Sequence, residues 1–274
     1  MAMPSWMFWS SGLCVLLLGC ASFPDHTAAE RLDSGYTLVL PGIDGRSSAI
    51  QGFAQGLVDS GLPSAVEIYD WTSGNPLMMG VHLHARDDNM RRAEKIADKI
   101  VAYQNSYPRR PVHLIGHSGG CALALWTLEK LPAERRVTDA VLLSAAVSAD
   151  YDTSSALNHT ERGIYNFTAP ADIMLVAGTT LGGTMDGVWA PGAGAFGFAE
   201  PPDHRDSPGV PRIQEIAYEP RMALSGHLGG HWGPSSRAFA RDYVAPILAQ
   251  KPRRDGLRPR ISQRLPADRF AEGH

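Results

Sequence analysis

Five residues, Gly116-His117-Ser118-Gly119-Gly120, follow the apolar run Val112-His113-Leu114-Ile115 and precede a second apolar segment, Cys121 to Trp126. A serine hydroxyl is a weak nucleophile until a neighbouring base takes its proton. A G-x-S-x-G pattern between a strand and a helix meets the geometric half of that need, because a sharp turn lifts the serine Oγ above the edge of a sheet. The turn is sterically tight, so its neighbours must be small, and Gly116 and Gly120 leave the room. The helix that follows points the positive end of its dipole at the hydroxyl. The chemistry implied is attack by Ser118 on an electrophile such as a carbonyl.

A turn of this kind needs a strand before it and a helix after it, and the chain alternates the two. Strands are predicted at Tyr36–Leu40, Ala65–Tyr69, Val112–Ile115, Thr138–Leu143, Ile164–Phe167 and Arg212–Tyr218, each a short apolar or β-branched run. Helices are predicted at Ser47–Asp59, Asp87–Tyr103, Gly119–Leu131, Ser154–Glu161 and Ser235–Leu248 from apolar residues at helical spacing. Strands separated by helices imply βαβ units, hence an α/β fold with a mostly parallel central sheet flanked by helices. Two longer stretches are expected to be irregular. Trp71–Arg86 carries Leu77, Met78 and Met79, and Ala177–Val210 carries Trp189, Phe196 and Phe198. Both are expected near the C-terminal edge of the sheet, where they can form an apolar pocket or simply pack the loops down.

On the strand–elbow–helix pattern around Ser118, residues 35–250 resemble an α/β-hydrolase of the serine esterase or lipase type. The short span Ser144–Gly163 leaves no room for the large helical lid that some members insert there. The resemblance implies the chain order nucleophile, acid, base. The acid is expected after the second strand beyond the elbow, which selects Asp172. Asp186 is the alternative, and Asp150 and Asp152, after the preceding strand, come next. The base is expected between the last strand and the last helix. His231 and His227 both qualify, and His231 lies closer to the helix start. His117 is expected to be a packing residue. His82 and His84 are expected either to touch substrate or to face solvent. An oxyanion hole is implied from the backbone N–H groups of Gly119 and Ile43, with Pro41 standing where the family often has histidine. The implied reaction is cleavage of a carboxylic ester through an acyl-enzyme on Ser118, with no cofactor and no metal. Amidase or acyltransferase chemistry would use the same residues. A non-catalytic binding role on the same scaffold is the other reading.

Composition bounds the rest. The chain has 274 residues, 44% hydrophobic and 19% charged, enough for one large core. A net charge of −3 argues against a general nucleic-acid binder. Three cysteines cannot build a disulfide framework. Residues 1–19 read as a signal peptide whose apolar run, Leu13 to Gly19, is too short to span a bilayer, which takes about 20 residues. The ending Leu17-Leu18-Gly19-Cys20 resembles a bacterial lipobox, which implies lipidation at Cys20 and anchoring in the cell envelope, facing the periplasm or the exterior. The alternative is an ordinary signal peptide and a secreted protein. Residues 20–34 are then expected to be a tether. Residues 251–274 are expected to be a disordered tail, basic because Lys251, Arg253, Arg254, Arg258, Arg260, Arg264 and Arg269 outnumber Asp255, Asp268 and Glu272. The expected partners are a small-molecule acyl ester or lipid substrate and, through Cys20, a membrane.

Overall fold

The computed structural model describes residues 26–199 and 211–250. The expected signal peptide, Cys20 and the basic tail lie outside the described residues, as do residues 200–210. Six strands form one all-parallel sheet: β1 Tyr36–Leu40, β2 Ala65–Ile68, β3 Val112–His117, β4 Asp139–Leu143, β5 Gly163–Thr168 and β6 Arg212–Ala217. Their spatial order is β2-β1-β3-β4-β5-β6, which puts β3 and its elbow in the middle.

The fold class is the α/β arrangement expected, with helices on both faces. Side chains alternate along a strand, so each strand feeds two cores. Leu38, Leu114, Leu142 and Ile164 pack on one face, beneath the helices Arg86–Ser106 and Gly120–Lys130. Val39, Ile115, Val141 and Phe167 pack on the other, beneath Ser48–Asp59 and the final helix. The Arg86–Ser106 helix buries Asn89, Ala93, Ile96, Ala97, Ile100 and Tyr103, one stripe at helical spacing, and turns its charges outward.

Several expectations need correction. Ala177–Val210 is not irregular from its start, because Ile173–Gly182 is a helix. Its sequence, Ile-Met-Leu-Val-Ala-Gly-Thr-Thr-Leu-Gly, has no polar face, so no periodicity betrays it. Trp71–Arg86 holds a 3-10 turn, Pro76–Met78, and a short helix, Met79–His84. The last helix is not regular. It runs as Arg237–Phe239, a π-helical turn Ala240–Val244, and Ala245–Leu248. Pro246 explains the irregular turn, since it has no N–H for the α-helical bond to the carbonyl of Asp242 and its ring crowds that carbonyl. The tether is in part structured. Ala29–Leu32 is helical, Arg31 donates to the carbonyls of Leu62 and Ser64, and Tyr103 donates to the carbonyl of Leu32. No described helix is long and apolar enough to cross a membrane.

The elbow depends on backbone approach that only glycine permits. A Cβ at Gly120 would lie 2.3 Å from the Leu40 carbonyl oxygen and 2.4 Å from that of Pro41. A Cβ at Gly178, on the open face of its helix, would meet nothing within 4 Å. Gly120→Ala is therefore expected to destabilise the protein by about 3 kcal/mol or more, through overpacking against backbone. Gly178→Ala is expected to stabilise it by about 0.5–1 kcal/mol, through helix propensity. Urea unfolding of the two variants measures both, and equal effects would contradict this account of the elbow.

Candidate active site

Ser118 sits at the end of β3 with φ +52°, a left-handed backbone that a side chain rarely adopts. Its N–H donates to the Leu143 carbonyl at 2.9 Å, and its own carbonyl accepts from Cys121 at 3.0 Å, opening the next helix. A Cβ at Gly116 would fall 2.6 Å from the Gly120 carbonyl oxygen, so helix and strand meet closely around the serine. Ser118 is half-buried.

The structure brings Ser118, His231 and Asp172 together. His231 Nε2 lies 3.0 Å from Ser118 Oγ, and its Nδ1 lies 2.9 Å from Asp172 Oδ2. An ionised carboxylate only accepts, so Nδ1 carries the hydrogen and Nε2 keeps a lone pair facing the serine hydroxyl. His231 comes from the loop after β6, just ahead of the 3-10 turn Gly233–Ser235. Asp172 follows β5 and caps the Ile173–Gly182 helix, with Oδ1 accepting from the Leu175 N–H at 2.9 Å. It is fully buried. Burial alone would raise its pKa, but the hydrogen bond and charge of His231, with donors from Leu175 and Ser144, outweigh burial and hold the carboxyl below its ordinary value. Asp172 therefore faces His231 as a carboxylate.

The alternative acid and base are engaged elsewhere. Asp186 accepts from the Ser148 N–H at 2.9 Å and the Ser148 hydroxyl at 2.6 Å, and so pins the loop after β4. Asp152 accepts from the Ser154 N–H at 2.9 Å, a turn interaction. His227 is buried edge-on between Tyr218 and Phe239, and its Nδ1 accepts from the Gly229 N–H. His117 does more than pack. Its Nε2–H donates to the backbone carbonyl of His231 at 3.1 Å. His82 is buried with Nε2 on Ser73, while His84 is exposed, so the two do not converge. Among the described residues no group of His, Cys, Asp and Glu is placed to hold a metal ion.

Gly119 and Ile43 also meet. A Cβ at Gly119 would lie 3.0 Å from Ile43 Cγ2, 3.3 Å from Met185 Sδ and 3.6 Å from Trp71 Cζ2. Among the described residues no group of the chain accepts from the N–H of either Ile43 or Gly119. Trp71 Nε1 donates to the Pro41 carbonyl at 2.7 Å, fixing the loop that carries Ile43. Sequence reasoning missed Met185 and Ser144. Nothing in an isolated Met or Ser marks it, since both are placed by long-range packing. Ser144 ends β4 at φ +51° and donates to the His231 carbonyl at 3.2 Å.

No protein-family model matches the chain, and no curated protein matches it. Solved structures similar to it include Aspergillus fumigatus lipase B, at 14% identity and TM-score 0.49, covering 83% of this chain and 56% of that one. This chain thus spans little more than half the length of that lipase chain. A dienelactone hydrolase-like promiscuous phosphotriesterase from metagenomic libraries is similar at 16% identity and TM-score 0.45, covering 78% of this chain and 84% of that one. The thioesterase domain that cyclises the lipopeptide antibiotic surfactin is similar at 14% identity and TM-score 0.41, covering 85% of this chain and 99% of that one.

Three buried histidines are held neutral. Burial pushes His117 down to about 4, helped by the charge on His231. Burial likewise pushes His227 down to about 4 and His113 down to about 3. In the unfolded chain each titrates near 6.5. Below that pH the unfolded state binds protons that the native state refuses, so stability is complete above about 6.5 and is lost as pH falls towards 4. The urea midpoint of the wild type should fall across that window. His227→Phe, which keeps the ring packing, should fall less steeply, and identical slopes would count against this assignment.

Proposed function

We propose that the protein is a serine hydrolase that cleaves a carboxylic ester through an acyl-enzyme on Ser118. The observation that carries this reading is the unbroken hydrogen-bonded chain from Ser118 Oγ through His231 to buried Asp172, at 3.0 and 2.9 Å. In the reaction His231 Nε2 takes the Ser118 proton as Oγ attacks the ester carbonyl. Asp172 holds Nδ1–H and stabilises the imidazolium that forms. The N–H groups of Ile43 and Gly119 receive the negative charge that develops on the carbonyl oxygen. His231 then returns the proton to the leaving alcohol, and the acyl group stays on Oγ. Water, deprotonated by the same ring, releases the acid.

An apolar acyl group suits the surroundings. Ile43, Met185 and Trp71 crowd Gly119, the residue after Ser118. Beyond them, exposed apolar side chains follow the C-terminal ends of three strands: Leu77 and Met79 after β2, Ile173 and Leu181 after β5, and Trp232 after β6. Trp232 stands edge-on to the His231 ring, with centroids 5.4 Å apart.

A panel of p-nitrophenyl esters of rising chain length, together with a fluorophosphonate probe, tests the reading. Wild type should hydrolyse the esters and be labelled. Ser118→Ala should lose labelling, and Ser118→Ala and His231→Ala should each lose at least about 10³-fold in kcat. His227→Phe should keep most activity. A folded wild type that the probe does not label, or a Ser118→Ala protein as active as wild type, would overturn the assignment.

For localisation we propose a lipid anchor at Cys20, in the bacterial cell envelope. The support is the run Leu13 to Gly19 ending in Leu17-Leu18-Gly19-Cys20. Each buried CH₂ of an acyl chain adds about 0.8 kcal/mol of membrane binding. Cells fed labelled palmitate should incorporate it into the wild type and not into Cys20→Ala. Incorporation that survives the substitution would remove Cys20 as the lipidation site, and a wild type that takes up no label would leave the secreted alternative.

A further inference from the structure

A helix on a water-facing surface turns its charges outward, as Arg86–Ser106 does here. The Ile173–Gly182 helix does not. It buries Leu175 and Thr179 on one side and exposes Ile173, Met174 and Leu181 on the other. From Ile173 to Ala199 the chain carries one charged side chain, Asp186, and that one is tied to Ser148. The same stretch leaves Trp189 69% exposed and Phe196 64% exposed. Exposed apolar residues scattered singly are ordinary, but a gathering of them marks a contact surface. Among the described residues every large apolar side chain that is exposed falls in 77–81, 173–196 or 224–232. These stretches follow the C-terminal ends of β2, β5 and β6. The sheet order puts β2 on one side of β3, and β5 and β6 on the other, so the three stretches flank the strand that ends in Ser118.

We propose that this face docks on a lipid surface, with the Ile173–Gly182 helix lying in the plane of the interface. Chain direction favours a bilayer as the occupant. His26 pairs antiparallel with Val66 of β2, so the chain reaches His26 from the side of the C-terminal edge. Cys20, the residue acylated in the localisation proposal, is six residues earlier, a reach of at most about 20 Å. An anchor there and the apolar face would meet the membrane from the same side. Composition agrees with this. Trp189 and Trp232 are both exposed, and an indole, apolar with one polar N–H, suits the headgroup level of a membrane. Residues 173–199 contain no Lys or Arg, so the attraction is apolar and needs no anionic lipid. The docking face does not depend on the hydrolase reading, while the choice of a bilayer rests in part on the reading of Cys20.

The test uses the full chain with Cys14→Ala and Cys20→Ala, which leaves buried Cys121 as the sole native thiol and removes any acyl anchor. An environment-sensitive fluorophore is attached at Leu181→Cys or, as the control, at Ala133→Cys in the exposed turn that leads into β4 at the opposite end of the sheet. Vesicles of phosphatidylcholine should shift the Leu181→Cys emission to the blue and leave the Ala133→Cys emission unchanged, and high salt should not reverse the shift. Ile173→Ser, Leu181→Gln and Trp189→Gln together should leave the melting temperature unchanged, since all three side chains are exposed. They should weaken vesicle binding at least about tenfold, the share of one fully buried apolar side chain. A Leu181→Cys probe that vesicles leave unshifted overturns the docking face, whether or not the protein floats with them. So does a triple variant that binds as the parent does. A shift that appears without lipid and grows with protein concentration assigns the face to a second copy of the chain and also overturns the proposal. Palmitate labelling judges Cys20 separately: a shifted Leu181→Cys probe with no incorporation at Cys20 removes the anchor and keeps the face.

Discussion

The contact on which the rest depends is backbone against backbone. The helix after β3 begins so close to the end of β1 that Gly120 lies where any Cβ would enter the Leu40 and Pro41 carbonyls. That approach forces the chain to turn within a few residues, and the turn holds Ser118 at φ +52°. A left-handed serine costs about 1–3 kcal/mol in isolation, and it persists because the strands on either side over-determine it. Leu40 pairs with Gly116 on one side of β3, and Leu143 pairs with His117 on the other. The strain is held by the sheet, and its product is a hydroxyl raised above the edge.

Electrostatics then decides what the hydroxyl meets. A buried carboxylate is unfavourable unless donors surround it. Asp172 has the N–H of Leu175 at the start of a helix and the Nδ1–H of His231. Those donors keep it ionised, and ionisation fixes the tautomer of His231, whose free Nε2 then faces Ser118. The backbone of His231 is held from below by His117 and Ser144, so ring and main chain are constrained separately. His227, four residues earlier, has the same chemistry in principle. It is spent on a core between Tyr218 and Phe239, where burial keeps it neutral.

The sequence was most legible where local pattern and global role coincide. The strand–glycine–serine–glycine–helix run located the elbow, and apolar periodicity located all six strands to within about two residues, the ordinary uncertainty of element ends. The resemblance to α/β-hydrolases selected Asp172 and His231, which the structure brings together. It failed where neighbours in space, not in sequence, set the outcome. The Ile173–Gly182 helix is apolar on every side and reads like a loop once its polar period is missing. The last helix looks regular until Pro246 withholds its N–H. Ser144 carries no local signal at all, because its φ and its partner His231, from beyond β6, are set by the fold.

The opposite edge of the sheet shows why that placement is reproducible. Asp139, at the start of β4, is fully buried between His113 of β3, at 2.9 Å, and Arg162, just before β5. Burial keeps His113 neutral, so it donates to Asp139, while Arg162 supplies the countercharge. A buried ion pair of this kind adds little net stability over apolar packing, but breaking it strands a charge at a cost of about 3–5 kcal/mol. Slipping β4 by one residue against β3 or β5 would do that, and would also turn every side chain of the strand to the wrong face. Registers fixed at the N-terminal edge are carried unchanged along five or six residues to the C-terminal edge. There they set where Ser118 ends β3, where Ser144 ends β4 and where the chain leaves β5 towards Asp172. The polar cluster at one edge is thus tied, through the shared registers, to where the three strands end at the other.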